Sequence, residues 1–192
     1  MELFLIIFCS YLMGSIPFGY LLTKIFLKKD IRDIGSGNTG ATNALRTGNK
    51  VIGYSTLILD ILKAVLPIMF IKLNYTDYIY IASFCVFIGH VFPLWLKFKG
   101  GKGIASYMGI LFCLDIIFGF IFVSTWLILY LIFKYSSLSS LLATLSIPVY
   151  LLFFLNGQNI FFFLIFFILI FFTHRKNIKR LINKEESKTK IY

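Results

Sequence analysis

Charge is scarce in this sequence, and negative charge is scarcer still. Only 14% of its 192 residues are charged, with 8 Asp+Glu against 19 Lys+Arg. A soluble domain of this length carries about 25% charge, so a soluble globular domain and a disordered tail are both excluded. Cysteine is rare as well: Cys9, Cys85 and Cys113 lie in apolar stretches without metal-like spacing. That excludes a disulfide-stapled secreted module and leaves three buried apolar fillers. The carboxylates are too few and too dispersed for a metal cluster, so no metal or other cofactor is expected. A basic n-region is missing too, because residue 2 is Glu and no small-x-small cleavage site follows. The first apolar run therefore reads as a retained helix and not as a removed signal peptide.

What is present is apolar: 59% of the residues are hydrophobic, mean hydropathy is +0.88, and Phe alone occurs 23 times. The phenylalanines read as lipid-facing or packing positions. Apolar runs occupy 3–22, 51–71, 78–96, 104–133, 138–155 and 160–172, against the roughly 17–25 residues that a helical span takes. In the first run Ser10/Gly14 and Ser15/Gly19 predict close helix approach, and Pro17 predicts a kink. The run 104–133 is interrupted by Asp115 and Gly119. Six Lys/Arg lie between Lys24 and Lys50, then come Lys97, Lys99, Lys102 and Lys134, and seven more lie between Arg175 and Lys190. Keeping all of these inside requires 104–133 to cross twice. The expected fold is an all-α polytopic integral membrane protein of about seven transmembrane helices. Its N-terminus is outside, its C-terminus and glycine-rich loops are cytoplasmic, and 1–192 forms a single domain. The partner of the net +11 charge is a lipid bilayer and an anionic substrate, not nucleic acid.

Three segments are richer than connectors need to be. The segment 30–50, DIRDIGSGNTGATNALRTGNK, combines glycines with hydroxyl and amide side chains and with Arg32, Arg46 and Lys50. Glycines let backbone N–H groups turn toward an anion, and Ser36, Asn38, Thr39, Thr42 and Asn43 add neutral donors. The string from Gly35 to Gly40 satisfies G-x-G-x-x-G, but a dinucleotide site needs a βαβ unit, for which this chain has no room. The segment 89–106 holds Gly100-Gly101-Lys102-Gly103 before a predicted helix. It fails the nucleotide P-loop pattern, with Gly after Lys102 and Leu at 96. Lys102 is left as a glycine-flanked phosphate ligand, whereas Lys97 and Lys99 read as snorkelling at the interface. The segment 173–180, THRKNIKR, is a basic anchor in which a continuing helix would present His174 and Asn177 on one face. Inside the second run, Asp60 and Lys63 lie about 14–18 Å along the helix from Val51. Their i, i+3 spacing fits a structural ion pair or a substrate contact equally well. All three segments fall on one side of the membrane, which points to one shared anionic site at the lipid boundary.

In order along the chain, SIPFGYLLTK, DIRDIGSGNTGATNALRTGNK, the D-x-x-K at Asp60/Lys63, GHVFPLWLKFKGGKGIAS and HRKNIKRL closely resemble the bacterial glycerol-3-phosphate acyltransferases that use acyl phosphate as donor. The resemblance implies a seven-helix enzyme of the cytoplasmic (inner) membrane, multi-pass, with its active site facing the cytoplasm. It implies acyl transfer from acyl phosphate to glycerol 3-phosphate, giving 1-acyl-glycerol 3-phosphate and phosphate, early in phospholipid synthesis. A functional link to the enzyme that makes acyl phosphate follows. By motif position, Ser36, Arg46, Lys102, His174 and Asn177 are the implied catalytic contacts to glycerol phosphate and phosphate. Gly37, Asn38, Thr39, Gly40, Thr42, Asn43, Gly101 and Gly103 are the implied substrate cradle, with 37–43 acting through backbone N–H groups. Asp60 and Lys63 support them.

Thioester-using acyltransferases carry H-x4-D, but here Trp95 follows His90 and Lys179 follows His174 at that spacing. The residues themselves show no evident base; the resemblance implies a substrate phosphate oxygen as proton acceptor, with His174 as the other candidate. An anion transporter would show inverted repeats, which the sequence lacks. A lipid-binding scaffold would leave the glycine loops unexplained.

Overall fold

The structure, a computed structural model, describes residues 1–188. Lys190, the last charge of the basic tail, lies outside the described residues. The chain divides into two compact units, Met1–Leu114 and Asp115–Tyr192, and the described residues fold as helices and loops alone.

The first unit contains α1 (Glu2–Gly14), α2 (Phe18–Leu27), α3 (Ala41–Leu45), α4 (Lys50–Asn74), α5 (Ile79–Val91) and α6 (Ile104–Leu114). Pro17 ends up as the N-cap of α2. A residue without an N–H is tolerated at a helix start and not in its interior, so the expected kink is a break between α1 and α2. The Ile16 carbonyl at this break accepts a hydrogen bond from Lys63 Nζ at 2.7 Å.

Small residues set the contacts. A Cβ on Gly14 would collide with the Val86 backbone, and one on Gly89 with the Tyr11 carbonyl. Helices α1 and α5 therefore touch backbone to backbone, as the small-residue spacing predicts. Gly19 lies in the same way against the Thr39 carbonyl, which seats the segment after α2 on α2 itself. On α4, the buried face Thr56, Asp60, Lys63, Ala64 and Ile68 meets α6, where Gly109 lies over Ile61 and Ala64.

The second unit contains α7 (Ile116–Phe133), α8 (Ser136–Phe154), α9 (Ile160–Thr173) and α10 (Arg175–Ile182). The interruption of 104–133 falls at Asp115, whose carboxylate caps α7 by accepting the Ile117 N–H at 2.8 Å. Edge-to-face contacts join Phe118 to Tyr150 and Phe163, and Trp126 Nε1 donates to Ser140 Oγ at 3.0 Å. The outer surface of α7 is apolar, with Ile116, Phe120, Leu127, Ile128, Leu131 and Ile132 exposed. Such a surface is solvated by lipid and not by water.

By length and composition, four helical stretches among the described residues can cross a membrane: Glu2–Leu27, Thr76–Leu96, Ile116–Phe133 and Ser136–Phe154. The bent pair Ile160–Thr173 and Arg175–Ile182 is a fifth. Seven is reached only by adding the 25-residue α4, which carries Asp60 and Lys63, and the 11-residue α6.

The helix expected to continue through 173–180 does not do so. It bends by 63° between α9 and α10, with His174 at the corner as the N-cap residue of α10. His174 and Asn177 therefore do not share the face of one straight helix, although both are buried.

Candidate active site

The segment after α2 is built around one buried amide. The Asn43 side chain, only 2% exposed, donates through Nδ2 toward the carbonyls of Ile31 (3.0 Å), Ile34 (2.8 Å) and Asn38 (2.8 Å). Its Oδ1 accepts the Ser36 N–H at 2.9 Å. One side chain thus closes a turn that has too few residues to satisfy its own backbone. Gly35 and Gly37 supply the reversals, at φ +54° and +70°, where an L side chain is strained. Asp30 starts the segment by accepting the Arg32 N–H at 2.9 Å and pairing with its guanidinium at 2.6 Å. That side-chain hydrogen bond pulls the Asp30 carboxyl down to about 2.

This scaffold narrows the expected cradle. The N–H groups of Ser36, Gly37, Gly40 and Asn43 already donate inside the segment, to Asn43 Oδ1, Ile34 O, Asn38 Oδ1 and Gly40 O. The N–H groups of Asn38, Thr39, Ala41 and Thr42 show no such bond among the described residues. Ser36 is half-buried and Arg46 exposed. The Arg46 side chain runs across Gly35, where a Cβ would stand 2.7 Å from Arg46 Cδ. The structure therefore lays Arg46 across the residue before Ser36, over a turn closed by Asn43. Asn43 belongs to the frame of that turn.

Lys102 is placed by the end of α5. After Pro93 the chain turns through Leu94–Leu96, with Lys97 and Phe98 in the left-handed region, and folds back. Gly100 and Gly101 then donate to the carbonyls of Val91 (3.0 Å) and His90 (3.1 Å). A Cβ on Gly101 would collide with the His90 ring, and one on Gly103, at φ +90°, with the Phe87 ring. These glycines are needed because the loop bearing Lys102 lies directly on α5. Lys97 and Lys99 are exposed, as the interfacial reading expects.

Asp60 and Lys63 pair at 2.7 Å, each about 3% exposed. Lys63 also holds the α1–α2 break through Ile16, so the ion pair has a structural task in the first unit. Sequence reasoning missed His90 as part of this cluster. Its Nδ1 is 3.0 Å from Ser106 Oγ and 3.8 Å from Asp60 Oδ1.

His174 and Asn177 belong to the second unit. His174 Nδ1 is 2.8 Å from the Ile170 carbonyl, which orients the ring. Asn177 Nδ2 donates to Glu186 Oε1 at 2.6 Å, and the same carboxylate accepts from Ser137 Oγ (2.8 Å) and Arg180 Nε (2.6 Å). Glu186 was also missed; its only trace in the sequence is a carboxylate standing in a basic tail. Burial raises its pKa, but the hydrogen bonds from Asn177, Arg180 and Ser137 outweigh that and hold it below the ordinary 4.5. A depressed folded value means the stabilisation is present above about 4.5 and is lost as pH falls through the lower folded value. Hydrogen exchange across α10 is thus expected to accelerate as pH falls below the ordinary 4.5 and through the lower folded value. Glu186→Gln, which cannot ionise, is expected to exchange fast already at neutral pH and to show no such step. An α10 equally protected in both proteins at neutral pH rules out this anchoring role.

A family model for glycerol-3-phosphate acyltransferase matches residues 4–184. A glycerol-3-phosphate acyltransferase of Pelagibacter ubique is 65% identical over 192 residues, all of both chains. One of Bartonella henselae is 47% identical over 96% of this chain and 90% of its own. The crystal structure of PlsY, an integral membrane glycerol 3-phosphate acyltransferase, superposes in its glycerol 3-phosphate form with a TM-score of 0.90 at 32% identity, covering 98% of this chain and 96% of that one. Its lysophosphatidic acid form superposes with a TM-score of 0.86. All-helical, clothed in apolar residues and alike in sequence from end to end, this integral membrane protein belongs to the glycerol-3-phosphate acyltransferase family.

Proposed function

We propose that this chain transfers an acyl group from acyl phosphate to glycerol 3-phosphate, forming 1-acyl-glycerol 3-phosphate and inorganic phosphate at the cytoplasmic face of the bacterial inner membrane. The observation that carries this reading is the Arg46 side chain lying across Gly35, next to Ser36 in the chain, over a turn held from within by Asn43. A preorganised cation and hydroxyl suit a phosphate dianion. The neighbouring PlsY structures, described as glycerol 3-phosphate and lysophosphatidic acid forms, supply the substrate and the product.

Acyl phosphate is a mixed anhydride with phosphate as a good leaving group, so no acyl-enzyme is needed. The glycerol 1-hydroxyl attacks the acyl carbonyl, the new ester C–O bond forms, and the C–O bond to phosphate breaks. The hydroxyl proton passes to a phosphate oxygen. The protein's task is to hold two dianions close together and in line. We assign Arg46, Ser36 and Lys102 to phosphate contacts, with His174 and Asn177 as further contacts by motif. The unengaged N–H groups of Asn38, Thr39, Ala41 and Thr42 form the donor set for the acyl-phosphate head. Gly101 and Gly103 let Lys102 approach. The acyl chain stays in lipid, and the enzyme that makes acyl phosphate is the functional partner.

Purified protein given palmitoyl phosphate and radiolabelled glycerol 3-phosphate is expected to release lysophosphatidate and phosphate in equal amounts, and none when palmitoyl-CoA replaces the donor. Product from the thioester, or no product from the anhydride, overturns the donor assignment.

A further inference from the structure

The cluster of polar groups buried beneath Lys102 is not used by the chemistry above. It runs from Lys63, bound to Ile16 O at 2.7 Å, through the Asp60 carboxylate at 2.7 Å, to His90 and Ser106. All four side chains are buried. One hydrogen assignment satisfies the junction: Ser106 Oγ donates to the Asp60 carbonyl (3.2 Å) and His90 Nδ1 donates to Ser106 Oγ (3.0 Å). The imidazole then has two sides. Nδ1 grips the first turn of α6 just after Lys102, and Nε2 abuts Gly101 just before it. The backbone of the same histidine accepts the Gly101 N–H at 3.1 Å. His90 therefore fixes both ends of the short stretch on which Lys102 stands, and Ser106, bound to the Asp60 carbonyl, fixes His90.

We propose that His90 is a positioning residue for Lys102, acting on glycerol 3-phosphate only through that lysine. This rests on the reading of Lys102 as a glycerol-phosphate contact. A lysine on a loop loses most of its value to a ligand when its backbone moves by about an ångström, and a ring wedged between Gly101 and Ser106 prevents that movement. The carboxylate and ammonium beneath it cannot be rearranged cheaply in an apolar interior, so the wedge has a rigid base.

The test is a double-mutant cycle on the full chain in detergent micelles, read as glycerol 3-phosphate affinity by calorimetry and as the KM of each substrate. His90→Ala and Lys102→Ala are each expected to weaken glycerol 3-phosphate by about tenfold, leaving the KM for palmitoyl phosphate within about twofold. The double variant is expected to be no weaker than Lys102→Ala alone. His90→Asn, which keeps a donor near the Nδ1 position, is expected to recover most of the loss. Losses that multiply, to about a hundredfold in the double variant, overturn the proposal, as does wild-type affinity in His90→Ala. If His90→Ala does not fold, Ser106→Ala, which removes the group that Nδ1 grips, carries the same cycle with Lys102→Ala, and multiplied losses again overturn it. Wild-type protein that binds glycerol 3-phosphate but makes no lysophosphatidate overturns the functional reading while the binding cycle still decides the role of His90. Wild-type protein that does not bind it overturns both.

Discussion

Replacing Arg46 by alanine is expected to lower kcat/KM by about 10²–10³-fold while the protein still inserts and melts as wild type does. The guanidinium is exposed and lies across Gly35, whereas the turn beneath it is closed by Asn43 and by backbone bonds. Removing the charge takes away the proposed phosphate contact, while the bonds of Asn43 and the backbone still close the turn. Arg46→Lys is expected to recover only part of the loss, because an ammonium offers a point charge in place of the planar fork that grips two phosphate oxygens. Gly35→Ala tests the same geometry from below. Its Cβ would meet Asn43 Oδ1 and Arg46 Cδ at a φ of +54°, so activity should fall although no ligand has been removed. Steady-state assays with palmitoyl phosphate and glycerol 3-phosphate, beside a melting curve for each variant, decide the matter. An Arg46→Ala enzyme within a few-fold of wild type sinks the assignment.

Asn43→Asp should be as damaging as Asn43→Ala, and both should nearly abolish turnover. The amide acts as donor and acceptor at once, and the carboxylate keeps only the acceptor. Nδ2 is directed at three backbone carbonyls within 3.0 Å, and an aspartate would set a negative charge against those oxygens. At about 1 kcal/mol net per lost hydrogen bond, and more for each group left buried without a partner, the turn loses roughly 3–4 kcal/mol. That exceeds what a solvent-facing segment of this length holds in reserve. The expected signature is local. Amides of residues 31–46 should exchange hydrogen at the rate of an open loop, while α4, α5 and α6 stay protected. Glycerol 3-phosphate turnover should fall with the protection and not with global stability. An Asn43→Asp enzyme with normal exchange in 31–46 would show that the amide is not what holds the turn.

Asn43 also shows where reading residues in order reaches its limit. By type and place it belongs with Ser36, Asn38, Thr39 and Thr42 as a polar donor in a glycine-rich loop, and nothing in the string separates it from them. Only its burial and four partners do. His90 and Glu186 escaped notice for the opposite reason, since neither has its partners within its own spacing pattern. The groups that give them meaning are Asp60 and Ser106 for one, Ser137, Asn177 and Arg180 for the other. The continuing helix at 173–180 failed because periodicity cannot register a 63° bend at His174.

The sequence by itself determined that this is a membrane protein, where its apolar helices run, and which three polar segments are richer in glycine, donors and positive charge than connectors need to be. Those properties follow from local composition and from the cost of placing charge in lipid, which every residue carries wherever it sits. The tertiary structure decided which polar groups are used up inside the fold. A donor or acceptor is satisfied by partners brought close in space, and those partners lie far away along the chain, as Asp60 and His90 do for Ser106.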